Sequence, residues 1–260
     1  MTKGKYMDSY LSFAEVYDLF MDNVPYALWA DHVETLLDRY HVPKGLVADL
    51  GCGTGVMTRL MQQKGYDMIG IDASSEMLMI AMNADPLPQE DVVEEKPILY
   101  LCQDMRELDL YGSVAACIST CDSMNYITSE EDLRTVFQKV HTFLDPEGIF
   151  LFDLNTLYKY RTLLADNVFA ENRDEGSFIW ENEFDEETQI NEYDLTLYIK
   201  DETSDIYARY EEQHLQKGYE LDAVVDLLES CGFTFMEMLD ADTMEAVRPE
   251  TERAYLIAKK

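Results

Sequence analysis

Three glycines at alternate positions, Gly51, Gly53 and Gly55, separate the apolar run Leu46-Val47-Ala48-Asp49-Leu50 from the amphipathic run Val56 to Gln63. Glycine at a strand-to-helix turn permits positive φ and lets the backbone come close to a ligand. The first amides of the helix that follows point into the same crevice. Asp49 stands at the end of the first run, and Asp72 follows the next apolar run, Tyr66 to Ile71. A carboxylate at Asp49 disfavours a phosphate and suits an ammonium group. An acid after the second strand of a nucleotide-binding sheet accepts from ribose hydroxyls. The pattern predicts a ligand with both an ammonium group and a ribose.

A dinucleotide site is the rival reading. It wants the G-x-G-x-x-G spacing, and both registers fail, at Val56 and at Thr58. A turn with no ligand needs neither three alternate glycines nor two strand-end acids.

The elements that must position these residues follow from periodicity. Tyr10, Phe13, Ala14 and Tyr17 share one helical face, and Trp29, Val33, Leu36, Leu37 and Tyr40 share a second. Strands are then predicted at 46–50, 66–71, 98–102, 114–119 and 149–153, with helices between them. Ser74 and Ser75 can cap the helix over 76–83, and 85–96 is a solvated acidic loop. Near-continuous apolar strands alternating with helices predict a parallel sheet covered on both faces.

The pattern changes after residue 160. Three long strands, 177–184, 190–200 and 206–217, have no helices between them, and Tyr193, Leu195, Leu197 and Ile199 alternate with Glu192, Asp194, Thr196 and Tyr198. That period of two marks a half-buried antiparallel sheet. The expected organisation is an N-terminal helical lid over 1–44 and a main domain over 45–160 and 218–260. An inserted antiparallel sheet over 161–217 would cap the substrate. A last helix around Leu221 to Leu228 and two strands, 233–239 and 253–258, close the chain.

Composition narrows the function classes. Twenty Lys and Arg stand against 52 Asp and Glu, a net charge of −32. That field repels phosphate backbones and anionic membranes, so nucleic acid is disfavoured as a partner. Five scattered cysteines without a C-x-x-C pair point to free thiols, and four dispersed histidines give no metal-ligand spacing. With neither a secretion signal nor a membrane span in view, the expected location is the cytoplasm. Oligomeric state is not readable.

The turn Asp49 to Gly55, the segment Gly70-Ile71-Asp72-Ala73-Ser74-Ser75-Glu76-Met77-Leu78 and the triplet Gln103-Asp104-Met105 together resemble the signature set of class I S-adenosylmethionine-dependent methyltransferases. Phe13 to Asp18, Cys121 to Tyr126 and Phe152 to Thr156 are similar to a bacterial YqeM-like subgroup. More distantly, they are similar to N,N-dimethyltransferases of nucleotide-linked amino sugars. The resemblance spans nearly the whole chain. It implies a Rossmann-like, doubly wound, mostly parallel α/β sheet of seven strands with an antiparallel C-terminal edge.

It also implies roles, specific for the cofactor and silent on the acceptor. Asp49 and the amides around Gly51 and Gly53 would hold the methionine part of S-adenosylmethionine, and Asp72 the ribose. Ala73 and Met77 would pack near the adenine, with Asp104 and Met105, next to Gln103, holding its edge and face. Cys121 would line the channel near the sulfonium, and Tyr17 would reach over the cofactor.

Acceptor-side candidates come from position. Asp122, Asn125 and Tyr126 follow the fourth strand, at the mouth of the crevice, although turn residues there can bond locally. Tyr210, Glu212, His214 and Gln216 share one strand face and would roof a substrate, unless they are simply an exposed polar face. His214 is the candidate base, with Trp180 as a wall and Tyr17 as a second catalytic candidate. The expected reaction is methyl transfer to O or N of a small molecule. A cofactor-binding module without catalysis, and an RNA-modifying enzyme acting with a basic partner, stay open as alternatives.

Overall fold

Strands buried on both faces need helices above and below them, and the apolar runs of this chain are arranged in that way. The computed structural model describes residues 20–21, 24–84, 96–201 and 206–260. The predicted first helix, with Tyr10, Phe13, Ala14 and Tyr17, lies outside the described residues, as does most of the acidic loop.

Helix α1 (Tyr26–Arg39) leads into β1 (Leu46–Leu50), α2 (Val56–Gln63), β2 (Asp67–Asp72), α3 (Ser75–Asn83), β3 (Leu99–Cys102), β4 (Val114–Ser119), α4 (Glu130–Phe143) and β5 (Leu144–Asn155). Four strands follow: β6 (Val168–Asn172), β7 (Gly176–Asp185), β8 (Ile190–Lys200) and β9 (Tyr207–Lys217). Helix α5 (Leu221–Ser230), β10 (Thr234–Asp240) and β11 (Arg253–Lys259) complete the fold. Ser74 alone caps α3, accepting from the Met77 amide, and Ser129 caps α4 above a first turn of three acids.

The main sheet has seven strands in the order β10-β11-β5-β4-β1-β2-β3. Its inner strands are parallel, and β11 runs antiparallel to both β5 and β10. Side chains alternate between faces along each strand. Ala48, Leu50, Phe150, Phe152 and Leu256 pack under α4 and α5. Val47, Ile118, Leu151 and Ile257 pack under α1 and α2. This parity sends Asp49 and Asp153 toward the second layer, and the site depends on it.

Two boundaries differ from the sequence reading. The predicted stop at Asp145-Pro146-Glu147-Gly148 lies inside β5 as an irregularity, where pairing with β4 jumps from Val114–Leu144 to Ala116–Ile149. The separate antiparallel sheet has four strands, β6-β7-β8-β9, where three were expected. Strand β6 is five residues long, too short to show alternation. Among the described residues no helix is long and apolar enough to cross a membrane.

Candidate active site

All three turn glycines adopt positive φ: 70° at Gly51, 53° at Gly53 and 75° at Gly55. The amides of Gly51 and Cys52 both donate to the Ile71 carbonyl, at 2.8 and 3.0 Å. The Gly53 amide donates to Asp72 Oδ2 at 2.8 Å. The amides around Gly51 and Gly53, expected to face a ligand, thus bind the turn to the end of β2. A Cβ at Gly51 would strike Ser123, and one at Gly55 would strike Tyr100. At Gly53 nothing lies within 4 Å of that position, so a ligand can meet bare backbone there.

Both oxygens of Asp72 accept backbone amides, Oδ2 from Gly53 and Oδ1 from Ser74 at 2.8 Å. Burial raises its pKa against the pull of those amides. Each carboxylate oxygen keeps a second lone pair, which suits a ribose diol. Asp49 is only 1% exposed and accepts Thr58 Oγ1 at 2.6 Å. Burial pushes its pKa up to about 7, the Thr58 bond opposes that, and the nearby Asp72 charge adds to it. Because no described cation offsets the Asp49 charge, a ligand ammonium fits the site. Thr58 had been read only as a missing glycine.

The expected adenine residues divide. Ala73 is exposed and Met77 half-buried at the start of α3, and the Met105 side chain lies 3.5 Å from the Cβ position of Gly51. Asp104 instead caps a short turn over Met105–Glu107 and takes three bonds from the Arg106 guanidinium. Arg106 holds its carboxyl below the usual range. Gln103 closes its own loop through both the amide and the carbonyl of Asp109. Local bonds therefore engage the Asp104 side chain, expected with Met105 at the adenine, and the neighbouring Gln103.

After β4 the chain makes a left-handed turn through Cys121 (φ 62°) and Asp122 (φ 54°). Their amides donate to the two oxygens of Asp153, at 2.9 and 2.7 Å. Arg253 Nη1 donates to Asp153 at 3.0 Å and its Nη2 to Asp122 at 2.6 Å. Gln216 Nε2 on β9 donates to the other Asp122 oxygen at 2.6 Å. Asp122 thus accepts from Arg253 through one oxygen and from Gln216 through the other. The Cys121 thiol is pushed up by burial. Asp153 and Arg253 were not singled out from the sequence, although an acid at the end of an apolar strand was a signal.

The same turn reaches the glycine loop on one side and the four-stranded sheet on the other. Ser123 Oγ donates to the Gly51 carbonyl at 3.1 Å. Asn125 is fully buried. Its amide donates to the Asn155 and Lys217 carbonyls and accepts the Asn155 N–H. Expected as a substrate contact, Asn125 is a structural tie instead, because backbone groups use its bonding capacity.

Tyr126 is exposed, and its hydroxyl bonds to that of Tyr193. Its ring meets His214 edge-on at 5.9 Å. His214 stacks on Tyr193 at 4.7 Å, and its Nε2 pairs with Glu212 Oε2 at 3.1 Å. Trp180 meets Tyr193 at 5.4 Å. Tyr126, Trp180 and His214 are therefore gathered in one ring cluster, and Tyr17 lies outside the described residues.

The family model described as a methyltransferase domain matches residues 47–148, from β1 to the irregularity in β5. YqeM of Bacillus subtilis (strain 168), named as a methyltransferase, is 32% identical over 252 residues, covering 96% of this chain and 97% of that protein. An S-adenosylmethionine-dependent methyltransferase from Clostridium acetobutylicum ATCC 824 superposes with a TM-score of 0.83 at 27% identity, covering 96% of this chain and 98% of that one. The sugar N-methyltransferase KedS8 from Streptoalloteichus sp ATCC 53650 shares the fold, with a TM-score of 0.74 at 15% identity over 93% of this chain and 92% of that one. The glycine turn, its two acids and full-length similarity lead to one conclusion: the chain belongs to the S-adenosylmethionine-dependent methyltransferases, in the YqeM-like family.

Proposed function

We propose that the protein methylates a nitrogen or oxygen of a small-molecule acceptor held between the turn after β4 and the inner face of the four-stranded sheet. The observation that carries this reading is the reach of that turn. Ser123 touches the glycine loop, Asp122 bonds to β9 through Gln216, and Tyr126 meets His214. Cofactor side and acceptor side are joined through six residues. On this reading residues 161–217 cap the substrate and 45–160 with 218–260 form the transfer domain, while α1, within the expected 1–44 lid, packs as part of that domain's second layer.

S-adenosylmethionine, when bound, supplies a methyl group already activated on a sulfonium, so the chain contributes alignment and proton removal. Asp72 holds the ribose and Asp49 the ammonium, with Gly53 giving close approach. Ala73, Met77 and Met105 pack the adenine, and the Cys121 backbone closes the channel. His214 takes a proton from a hydroxyl or ammonium acceptor, oriented by Glu212. The named activity of KedS8 and the −32 charge support a small polar acceptor over nucleic acid, and a cytoplasmic location accords with the same composition.

The test is release of S-adenosylhomocysteine with panels of amines and alcohols, read by chromatography. Release above the acceptor-free rate is expected for a subset. No release with any acceptor, while S-adenosylmethionine still binds, would leave a binding module rather than an enzyme.

A further inference from the structure

Three buried polar atoms on the inner face of the four-stranded sheet have no hydrogen-bond partner among the described residues: Asn191 Oδ1, opposite Gln216, and the two that share one row further along, Trp180 Nε1 and Glu212 Oε1. Leaving such groups unmet is costly, and folded proteins rarely do so. Trp180 pairs with Leu195, and Leu195 with Glu212. The two residues therefore end one cross-strand row, on one face, two strand spacings or roughly 10 Å apart at the backbone.

Glu212 is the more telling of the two. Its side chain is 3% exposed. Its Oε2 pairs with His214 while Oε1 has no partner. Other carboxylates of the molecule behave differently: Asp72, Asp122 and Asp153 each accept through both oxygens. Aromatic rings border the row, with Tyr193 against both Trp180 and His214.

We propose that the Trp180–Glu212 row is the acceptor-recognition site, and that the acceptor is a cationic amine carrying an oxygen across a ring-sized spacer. The ammonium donates to Glu212 Oε1, and the distal oxygen accepts from Trp180 Nε1. A carboxylate beside ring faces favours a cation and repels a carboxylate or phosphate. This inference rests on the reading that the space under the four-stranded sheet takes the acceptor, and it narrows that acceptor's class.

The test uses the full chain saturated with S-adenosylhomocysteine and labelled with ¹⁵N-tryptophan. The protein has two tryptophans, and Trp180→Phe assigns the indole signal of interest. Three probes share one ring: trans-4-aminocyclohexanol, trans-1,4-cyclohexanediol and trans-4-hydroxycyclohexanecarboxylate. The amine is expected to shift the Trp180 indole signal and bind at least tenfold tighter than the diol, with the carboxylate weakest. Glu212→Gln should bring amine and diol within about twofold. Unchanged S-adenosylhomocysteine affinity by calorimetry shows that this variant is folded. Trp180→Phe should weaken the aminocyclohexanol but spare cyclohexylamine, which lacks the distal oxygen.

Equal binding of the three probes, no binding of any, or an amine preference that survives in Glu212→Gln would each overturn the proposal. Failure of methyl transfer is read separately, by S-adenosylhomocysteine release, and would overturn the transfer reading while leaving an observed amine preference in place.

Discussion

Arg253 and Asp153 form an ion pair inside the protein, Nη1 to Oδ2 at 3.0 Å, with side chains 10% and 0% exposed. The guanidinium also lies over the Trp29 ring, 4.9 Å from its centroid. Asp153 in turn holds the amides of Cys121 and Asp122, two non-glycine residues in the left-handed region. That conformation costs about 1–2 kcal/mol per residue. The pair is what keeps the turn in place.

Arg253→Met preserves much of the side-chain volume but leaves Asp153 buried without its cation. Loss of one partner of a buried pair costs about 3–5 kcal/mol, so the urea midpoint should fall accordingly. Arg253→Lys restores the charge and should recover part of the loss. An unchanged midpoint in the methionine variant would remove the structural role assigned to the pair.

Asp49 gives a pH dependence of defined sign. Burial raises its pKa from 3.8 to about 7 in the folded chain, so the folded state binds a proton more tightly than the unfolded state. Its contribution to stability is full below about pH 4, is lost as pH rises toward 7, and is flat above that. Cofactor-free Asp49→Asn should lack this slope and melt above the parent at pH 8. S-adenosylmethionine affinity should rise with pH through the same window in the parent and not in the variant. Parallel melting curves for the two proteins from pH 5 to 8 would contradict the assignment.

Asn125→Ala removes bonds to Asn155 and to Lys217, and so a link between β5 and β9. Buried backbone groups left unmet cost about 1–3 kcal/mol each. Hydrogen exchange should accelerate at Asn155, whose N–H loses its acceptor, with cofactor affinity unchanged. A raised KM with no change in exchange or stability would return Asn125 to the acceptor side.

His214→Ala should slow transfer to hydroxyl or protonated-amine acceptors by about 100-fold or more, the usual range for a positioned base. It should leave S-adenosylmethionine affinity within twofold, since the His214 ring packs on Tyr193 and Tyr126 rather than on the glycine turn. A parent-like rate would exclude His214 as the base.

The inner strands, the glycine turn and the two acids were legible because each is a local pattern. Apolar runs and alternate glycines declare themselves within ten residues. The face of β9 that carries Glu212, His214 and Gln216 was legible for the same reason, as a period of two. Partnerships across long separations were not. Arg253 meets Asp122 across 131 positions, and nothing in an apolar closing strand announces that contact. Local partners were equally hidden: Asp104 and Gln103 were read by type and position, and their side chains bond to the near neighbours Arg106 and Asp109. Strand β6 escaped because five residues beside an irregular turn carry too little periodicity.

The most direct test of the account is a calorimetric titration of S-adenosylmethionine into the parent protein and Asp72→Ala. Asp72 both shapes the turn through Gly53 and Ser74 and presents its remaining lone pairs to the ribose. Two charge-assisted bonds to a diol correspond to about 3 kcal/mol or more, or roughly 100-fold in affinity. One-site binding in the parent, weakened at least 100-fold in the variant, is the predicted result. Equal affinities, or no binding to the parent, would contradict the account.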